Sequence, residues 1–304
     1  RRMLRQILNK LRGNHDSDKD LIEYNFFDES GVLDEMEQLL PDFSVNIDSM
    51  NADVEEDDFV PDIDKPPKYD INKGDVYTLG NHRLMCGDST DKADVDLLMG
   101  GDKADMVFTD PPYGIDVVKD NKVGADFGIA KKGVYSEVIG DDTINTAQQF
   151  YNTCIDCDLN RFILFGGNYF TSFLPFSDSW LVWDKRGDSG IRNTFADAEM
   201  MWCSFHTPVR VYTQLWNGMI REGEKDKRLH PTQKPIRILS NVLVDFTKDK
   251  EIIYDGFGGS GSTLIACEQL NRKCYMMELD PKYCSVIIER WEALTGKEAQ
   301  NLGE

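Results

Sequence analysis

An α/β sandwich on a mostly parallel central sheet, preceded by a small helical segment, is the fold this sequence predicts. Three observations carry the prediction. From Gly74 onward, short β-rich runs alternate with helix-length amphipathic ones. Two of the strand candidates end in acid-bearing turns of proline or glycine, as ligand-binding strand ends do in such sheets. The chain of 304 residues, 40% hydrophobic, is also long enough to bury one large core or two small ones.

Taken in order, residues 1–12 place Met3, Leu4, Ile7, Leu8 and Leu11 at helical spacing among basic residues, which fits the last helix of an upstream module. Residues 31–40 spell another short helix, stopped by Pro41. From Ser49 to Lys68 the chain is acidic and proline-punctuated, so residues 48–70 are expected to be a linker between an N-terminal part, 1–47, and a catalytic domain, 71–304. A hairpin is expected from Val76 to Leu79 and Arg83 to Cys86 around Gly80-Asn81, followed by a helix at 94–99 and a buried strand at 105–109. Further strands are expected at 162–165, 180–183, 198–203, 209–215, 252–254 and 273–277, with helices at 144–158, 235–247, 262–271 and 281–294. Residues 115–145, rich in glycine and lysine, read either as a mobile surface loop or as a loop that closes over a substrate.

The net charge of −20 argues against a nucleic-acid partner only until its distribution is seen. Residues 16–64 carry eighteen acids against one lysine, while residues 1–15 carry five basic groups and no acid, leaving −8 for residues 65–304. The acidity belongs mainly to one segment. No apolar run reaches the ~18 to 20 residues of a membrane span. The start, Arg1-Arg2-Met3-Leu4, lacks a secretory apolar stretch, so a cytoplasmic location is expected. Because it opens on Arg, the chain is expected to be a fragment of a longer polypeptide. The seven scattered cysteines read as reduced thiols, and Cys154-Ile-Asp-Cys157 has no second pair or His cluster near enough to complete a metal site, so no metal is expected.

Two constellations carry chemistry. Asp255-Gly-Phe257-Gly258-Gly259-Ser-Gly261-Ser262-Thr263 follows a strand and opens a helix, and Glu278 closes the next strand. Glycines there let backbone amides approach a cofactor, and an acid at the neighbouring strand end can grip ribose hydroxyls. A nicotinamide enzyme would show the same pattern. Asp255 tilts the reading to S-adenosylmethionine, because a carboxylate suits that cofactor's ammonium group and would repel a pyrophosphate. The second constellation is Asp110-Pro111-Pro112-Tyr113 at the end of the strand 105–109. Two prolines remove two amide donors, so the turn presents acceptors beside an aromatic face, which matches an amino group on a flat heterocycle.

On these residues the chain resembles the β group of DNA amino-methyltransferases, in which the catalytic tetrad precedes the cofactor loop. Asp110-Pro-Pro-Tyr113 is similar to that tetrad and Phe257-Gly-Gly-Ser-Gly-Ser-Thr263 to the cofactor loop. His230-Pro-Thr232-Gln-Lys234-Pro235 is similar to the segment that helps hold the cofactor, and Gly87-Asp88-Ser89 to an element near its adenine. The family loop begins Asp-Pro-Phe where this chain has Asp255-Gly256-Phe257, a change expected to leave binding intact. Gly80 to Thr90 is similar to a junction in phage and prophage enzymes in which a ParB-like module precedes the methylase, and residues 1–47 would then be that module's tail.

The resemblance implies a Rossmann-like S-adenosylmethionine-dependent sandwich acting on double-stranded DNA in a bacterial or phage-infected cell. The target base is flipped onto Tyr113, Asp110 and the Pro111 carbonyl accept from its amino group, and residues 115–229 hold target recognition. In the family, Asp at the first tetrad position goes with adenine N6 and Ser with cytosine N4. Adenine N6 is therefore expected, with cytosine N4 as the alternative. A nicotinamide oxidoreductase and a non-enzymatic DNA-binding module are the competing classes, and the oligomeric state stays open, a homodimer included. Phe165-Gly-Gly-Asn-Tyr169 and Trp183-Asp-Lys185-Arg186 resemble segments lining the base pocket and equally read as turns.

Overall fold

The computed structural model describes residues 54–57, 59, 66–115, 118–119, 122–123, 143–186, 196–217, 220–221 and 234–303. The helices expected within 1–12 and 31–40, and with them the proposed N-terminal module, lie outside these residues, as does most of the loop 115–145.

The described chain opens with the hairpin β1 (Val76–Leu79) and β2 (His82–Cys86), then helix α1 (Lys92–Met99) and strand β3 (Met106–Thr109). Two-residue strands β4 (Val118–Lys119) and β5 (Lys122–Val123) pair with each other. Helix α2 (Asn145–Asp156), β6 (Phe162–Phe165), a 3-10 turn (Gly167–Tyr169), β7 (Trp180–Asp184), β8 (Ala198–Cys203) and β9 (Arg210–Thr213) follow. A second small pair, β10 (Trp216–Asn217) and β11 (Ile220–Arg221), precedes α3 (Ile236–Phe246), β12 (Ile252–Asp255), α4 (Ser262–Gln269), β13 (Lys273–Glu278), α5 (Pro281–Thr295) and β14 (Gln300–Asn301). Sequence reading missed the four two-residue strands and β14, which are too short to carry a period of two.

Local chemistry explains the better-predicted boundaries. Asp91 caps α1 by accepting from the Ala93 amide at 2.9 Å, and Gly100 ends the helix at φ 57°. Helix α5 is built alike: Asp280 accepts from the Lys282 amide, Pro281 sits in the first turn, and Gly296 closes it at φ 68°.

One ten-stranded sheet runs β14-β1-β2-β13-β12-β3-β6-β8-β7-β9. Its centre, β2 to β6, is parallel throughout; β8 and β1 are antiparallel to their neighbours. Val107, Phe162, Leu164, Tyr254, Tyr275 and Met277 face one cluster with Val95 and Leu98 of α1 and Ala147 and Phe150 of α2. The alternate residues Met106, Phe108, Ile253, Cys274 and Met276 are equally buried on the other face. There α4 and α5 pack on the sheet and α3 packs on α4. Burial on both faces explains why these strands are continuously apolar, each large side chain contributing about 1.5–3 kcal/mol.

Topology fixes where a ligand can sit. From β3 the chain proceeds to β6 on one side, and from β12 to β13 on the other, so the connections diverge between β3 and β12. A crevice opens at the carboxyl ends of strands at such a switch point.

The stretch expected as a solvated linker holds a second finding. Ile236 and Arg237 donate their amides, each at 3.0 Å, to the Glu56 carboxylate, which thereby caps α3. Asp57 takes a two-point ion pair from Arg290, at 2.6 and 2.9 Å, and Arg290 is 2% exposed. Lys68 and Tyr69 both bind Glu292. The compact unit containing the sheet accordingly starts at Val54. Composition reads charge as solvated; here specific acids instead answer a buried guanidinium and a helix N-terminus.

Candidate active site

Five strand ends build the site. Thr109 closes β3 and Asp255 closes β12, and the Thr109 hydroxyl donates to Asp255 Oδ1 at 2.6 Å. The two constellations, 145 residues apart from Asp110 to Asp255 in the chain, therefore meet directly. Next to β12, β13 ends in Glu278, and the Gly87 amide donates to the Glu278 carbonyl, which brings the end of β2 and Asp88 alongside. On the other flank, β6 runs out into Gly166, Gly167 and Tyr169.

In the glycine loop, Asp255 Oδ1 also accepts from the Phe257 amide at 3.1 Å. Burial lifts the Asp255 carboxyl to about 6, with the Thr109 and Thr263 hydroxyls opposing. Glu278 Oε2 accepts from the Gly259 amide at 2.7 Å and Oε1 from the Asp280 amide at 2.9 Å, and burial lifts this carboxyl to about 7. Gly258, Gly259 and Gly261 lead into Ser262 and Thr263 at the start of α4, where no side chain caps the helix. Arg290 braces the loop from behind, donating to the Ser260 carbonyl at 2.8 Å and to Ser262 Oγ at 3.2 Å. Asp88 closes a tight turn by accepting from the amide and hydroxyl of Thr90.

The departure Asp255-Gly256-Phe257 has a steric cause. A Cβ on Gly256 would come within 2.3 Å of the fully buried Phe150 ring, and that ring in turn packs edge-on against Phe257 with centroids 5.0 Å apart. Glycine is what lets Phe150 lie under the loop.

In the tetrad, Asp110 sits in a charged cluster. Tyr113 donates its hydroxyl to Asp110 Oδ1 at 2.5 Å, and the Lys234 ammonium binds Oδ2. Lys234 also lies 3.4 Å from Glu199 Oε2, and Lys185 binds Glu199 Oε1 at 2.9 Å. Burial pushes the Asp110 carboxyl up while Lys234 pulls it down, and burial wins. For Glu199 the balance reverses: burial is outweighed by Lys234 and Lys185, and its carboxyl falls below its ordinary value. Lys234, desolvated but faced by two carboxylates, is held firmly charged. The Tyr113 ring stacks on Tyr169, centroids 5.1 Å apart at 17°, and a Cβ on Gly166 would lie 2.2 Å from it, so glycine there makes room for the tyrosine.

Lys234, expected to hold the cofactor, thus reaches the acid of the tetrad in this structure. His230 and Thr232 lie outside the described residues. Of the basic residues between Tyr113 and His230, Lys185 joins the site through Glu199, and Arg186 pairs with Asp184. Glu199 went unread; its signal was one carboxylate in a strand otherwise apolar, Ala-Glu-Met-Met-Trp-Cys. Cys154 on α2 and Cys157, the residue that caps its end, are free thiols, and no metal-binding cluster occurs among the described residues. None of the helices among these residues is long and apolar enough to cross a membrane.

Comparison with known proteins finds matches to part of this chain. Residues 177–289, from β7 to α5, match the family described as DNA methylase, a span that holds Lys185, Glu199, Lys234, Asp255 and Glu278 and leaves out Asp110. Among particular proteins, the chain is 28% identical over 123 residues to the type II methyltransferase M2.LlaDCHI of Lactococcus lactis, 40% of this chain and 43% of that one. It is 26% identical over 129 residues to M2.MboI of Moraxella bovis, 42% of this chain and 46% of that one. The chain spans less than half the length of these relatives. The solved M1.HpyAVI–SAM complex aligns over 68% of this chain and 97% of its own at 18% identity, with a TM-score of 0.45.

Proposed function

We propose that this chain methylates DNA, transferring the methyl group of S-adenosylmethionine to the N6 amino group of adenine. The observation that carries the reading is the contact between the two strand ends: an acceptor-rich turn and a glycine loop share one crevice, linked through Thr109 and Asp255. The match of residues 177–289 to the DNA methylase family supports methylation of DNA.

The residues fit the cofactor by charge. Asp255 is buried and Glu278 half-buried, and among the described residues both accept only from neutral donors, a state that favours a ligand bringing its own cation. Asp255 would take the ammonium group, Glu278 the ribose hydroxyls, and Phe257 to Thr263 would line the loop. Bound there, S-adenosylmethionine supplies an electrophilic methyl group on a sulfonium. Everything else falls to the chain. Duplex DNA hides the adenine amino group, so the base must be rotated out, at a cost of a few kcal/mol. Tyr113 receives its face; Asp110 and the Pro111 carbonyl accept from the amino group and aim its lone pair. Positioning and electrostatics suffice, with no covalent enzyme intermediate. Target recognition is assigned to residues 115–229. Adenine rests on Asp110 at the first tetrad position, by resemblance.

The test is direct: incubate the protein with methyl-labelled S-adenosylmethionine and unmethylated duplex DNA, digest to nucleosides, and identify the labelled one. N6-methyldeoxyadenosine is expected. Label in N4-methyldeoxycytidine would move the base assignment, and absence of label would remove the function.

A further inference from the structure

We infer that Lys234 is a movable counter-ion, resting on Asp110 in the free protein and transferred to Glu199 when a target amino group arrives. Three features of the cluster lead there, given the proposed methyltransferase reading on which the inference rests.

Asp110 is committed before any substrate enters, with Tyr113 on one oxygen and Lys234 on the other. An incoming amino group can share a carboxylate oxygen, which has more than one lone pair. It cannot comfortably share it with an ammonium group. The nitrogen has to become electron-rich and then carry positive charge as it takes the methyl group, and a fixed cation on the same oxygen opposes both changes. Yet a half-buried, desolvated Asp110 with no counter-ion would take up a proton more readily while waiting. The site needs a cation at rest and none in contact during reaction.

Glu199 answers that need. Its Oε1 is pinned by Lys185 at 2.9 Å, which fixes the carboxylate. Its Oε2 is buried and, among the described residues, accepts no hydrogen bond, although the Lys234 ammonium stands only 3.4 Å away. A buried carboxylate oxygen left without a hydrogen bond is costly, and a side-chain rotation that carries the Lys234 ammonium off Asp110 Oδ2 and onto Glu199 Oε2 would supply one. The ammonium then stays in the cluster, its charge still compensated, while Asp110 Oδ2 is released to the base. Lys234 and Glu199 are on this account positioning residues, acting on the substrate through Asp110.

A double-mutant cycle tests the transfer. Methylation of unmodified duplex DNA and the Kd for S-adenosylmethionine are measured for wild type, Glu199→Gln, Lys234→Gln and the double variant. Glu199→Gln removes the second carboxylate and leaves Lys234 on Asp110. It is expected to lower kcat/KM for DNA about 30-fold while keeping cofactor affinity within about threefold. In the Lys234→Gln background, the same change should cost less than about threefold, because there is no ammonium left to relocate. Equal losses in both backgrounds would overturn the inference, since they would make Glu199 a structural residue independent of Lys234. Should the amide variant not fold, Glu199→Asp keeps the charge and draws it out of reach, and the same cycle applies. Wild-type protein that transfers no label sinks the function and the inference together; transfer with additive losses sinks the inference alone.

Discussion

The two halves of the crevice hold their acids in opposite ways. On the glycine-loop side, Asp255 and Glu278 are bound by hydroxyls and backbone amides, and burial drives both carboxyls up, to about 6 and about 7. On the other side, Asp110 and Glu199 are bound by lysine ammonium groups. The difference follows what each half is proposed to receive. S-adenosylmethionine is a cation, so its acids can wait uncompensated; an adenine amino group is neutral, so the protein must supply the positive charge itself.

Removing Asp110 should break this contrast most severely. Asp110→Ala is expected to lower methyl transfer by about three orders of magnitude, the scale of losing one electrostatic contact to a reacting group, and to leave cofactor affinity within about threefold. Isothermal titration beside a single-turnover assay separates the two, and a matching loss of cofactor binding would mean the halves are not distinct. On the other side, Glu278→Ala should weaken cofactor binding about 10- to 100-fold, as expected for a charge-assisted hydrogen bond. The wild-type protein adds a pH signature. Both carboxyls bind their protons more tightly when folded than when unfolded, so the free protein gains from them as pH falls, whereas the cofactor needs them ionised. Affinity should therefore rise with pH from about 5, most steeply below about 6 and levelling off above about 7, with protons released on binding. A flat profile would take Asp255 and Glu278 out of their proposed roles. Least in magnitude, Gly256→Ala should destabilise the fold by about 1–3 kcal/mol through its clash with Phe150, and Phe150→Leu should recover part of that in thermal denaturation. Without recovery, some other contact must explain the glycine.

Much of this was legible because chemistry and spacing coincide. Asp110 to Tyr113 and Asp255 to Thr263 announce themselves as acids in turns that follow apolar runs, and the helices expected at 94–99 and 281–294 are found as α1 and α5. The destination of Lys234 was not legible. A lysine in a Pro-Thr-Gln-Lys-Pro segment says nothing of which strand end it will face; that depends on sheet order, which sets Ile253 of β12 beside Met106 of β3, 147 residues earlier in the chain. Glu199 was hidden for the same reason, its partners coming from β7 and from the segment ahead of α3. The misread acids were those of residues 54–57, where composition weighs every carboxylate alike and the structure singles out Glu56 and Asp57.

Those two carboxylates matter to anyone trimming the protein. A cut at residue 71, where the catalytic domain begins on compositional grounds, would strip Asp57 from Arg290 and strand a guanidinium in the interior, directly behind the serines of the glycine loop. Breaking a buried pair from one side typically costs about 3–5 kcal/mol. A fragment that keeps both contacts therefore starts no later than Val54, and whatever is fused or cleaved on that side pulls on a tether whose far end is the glycine loop.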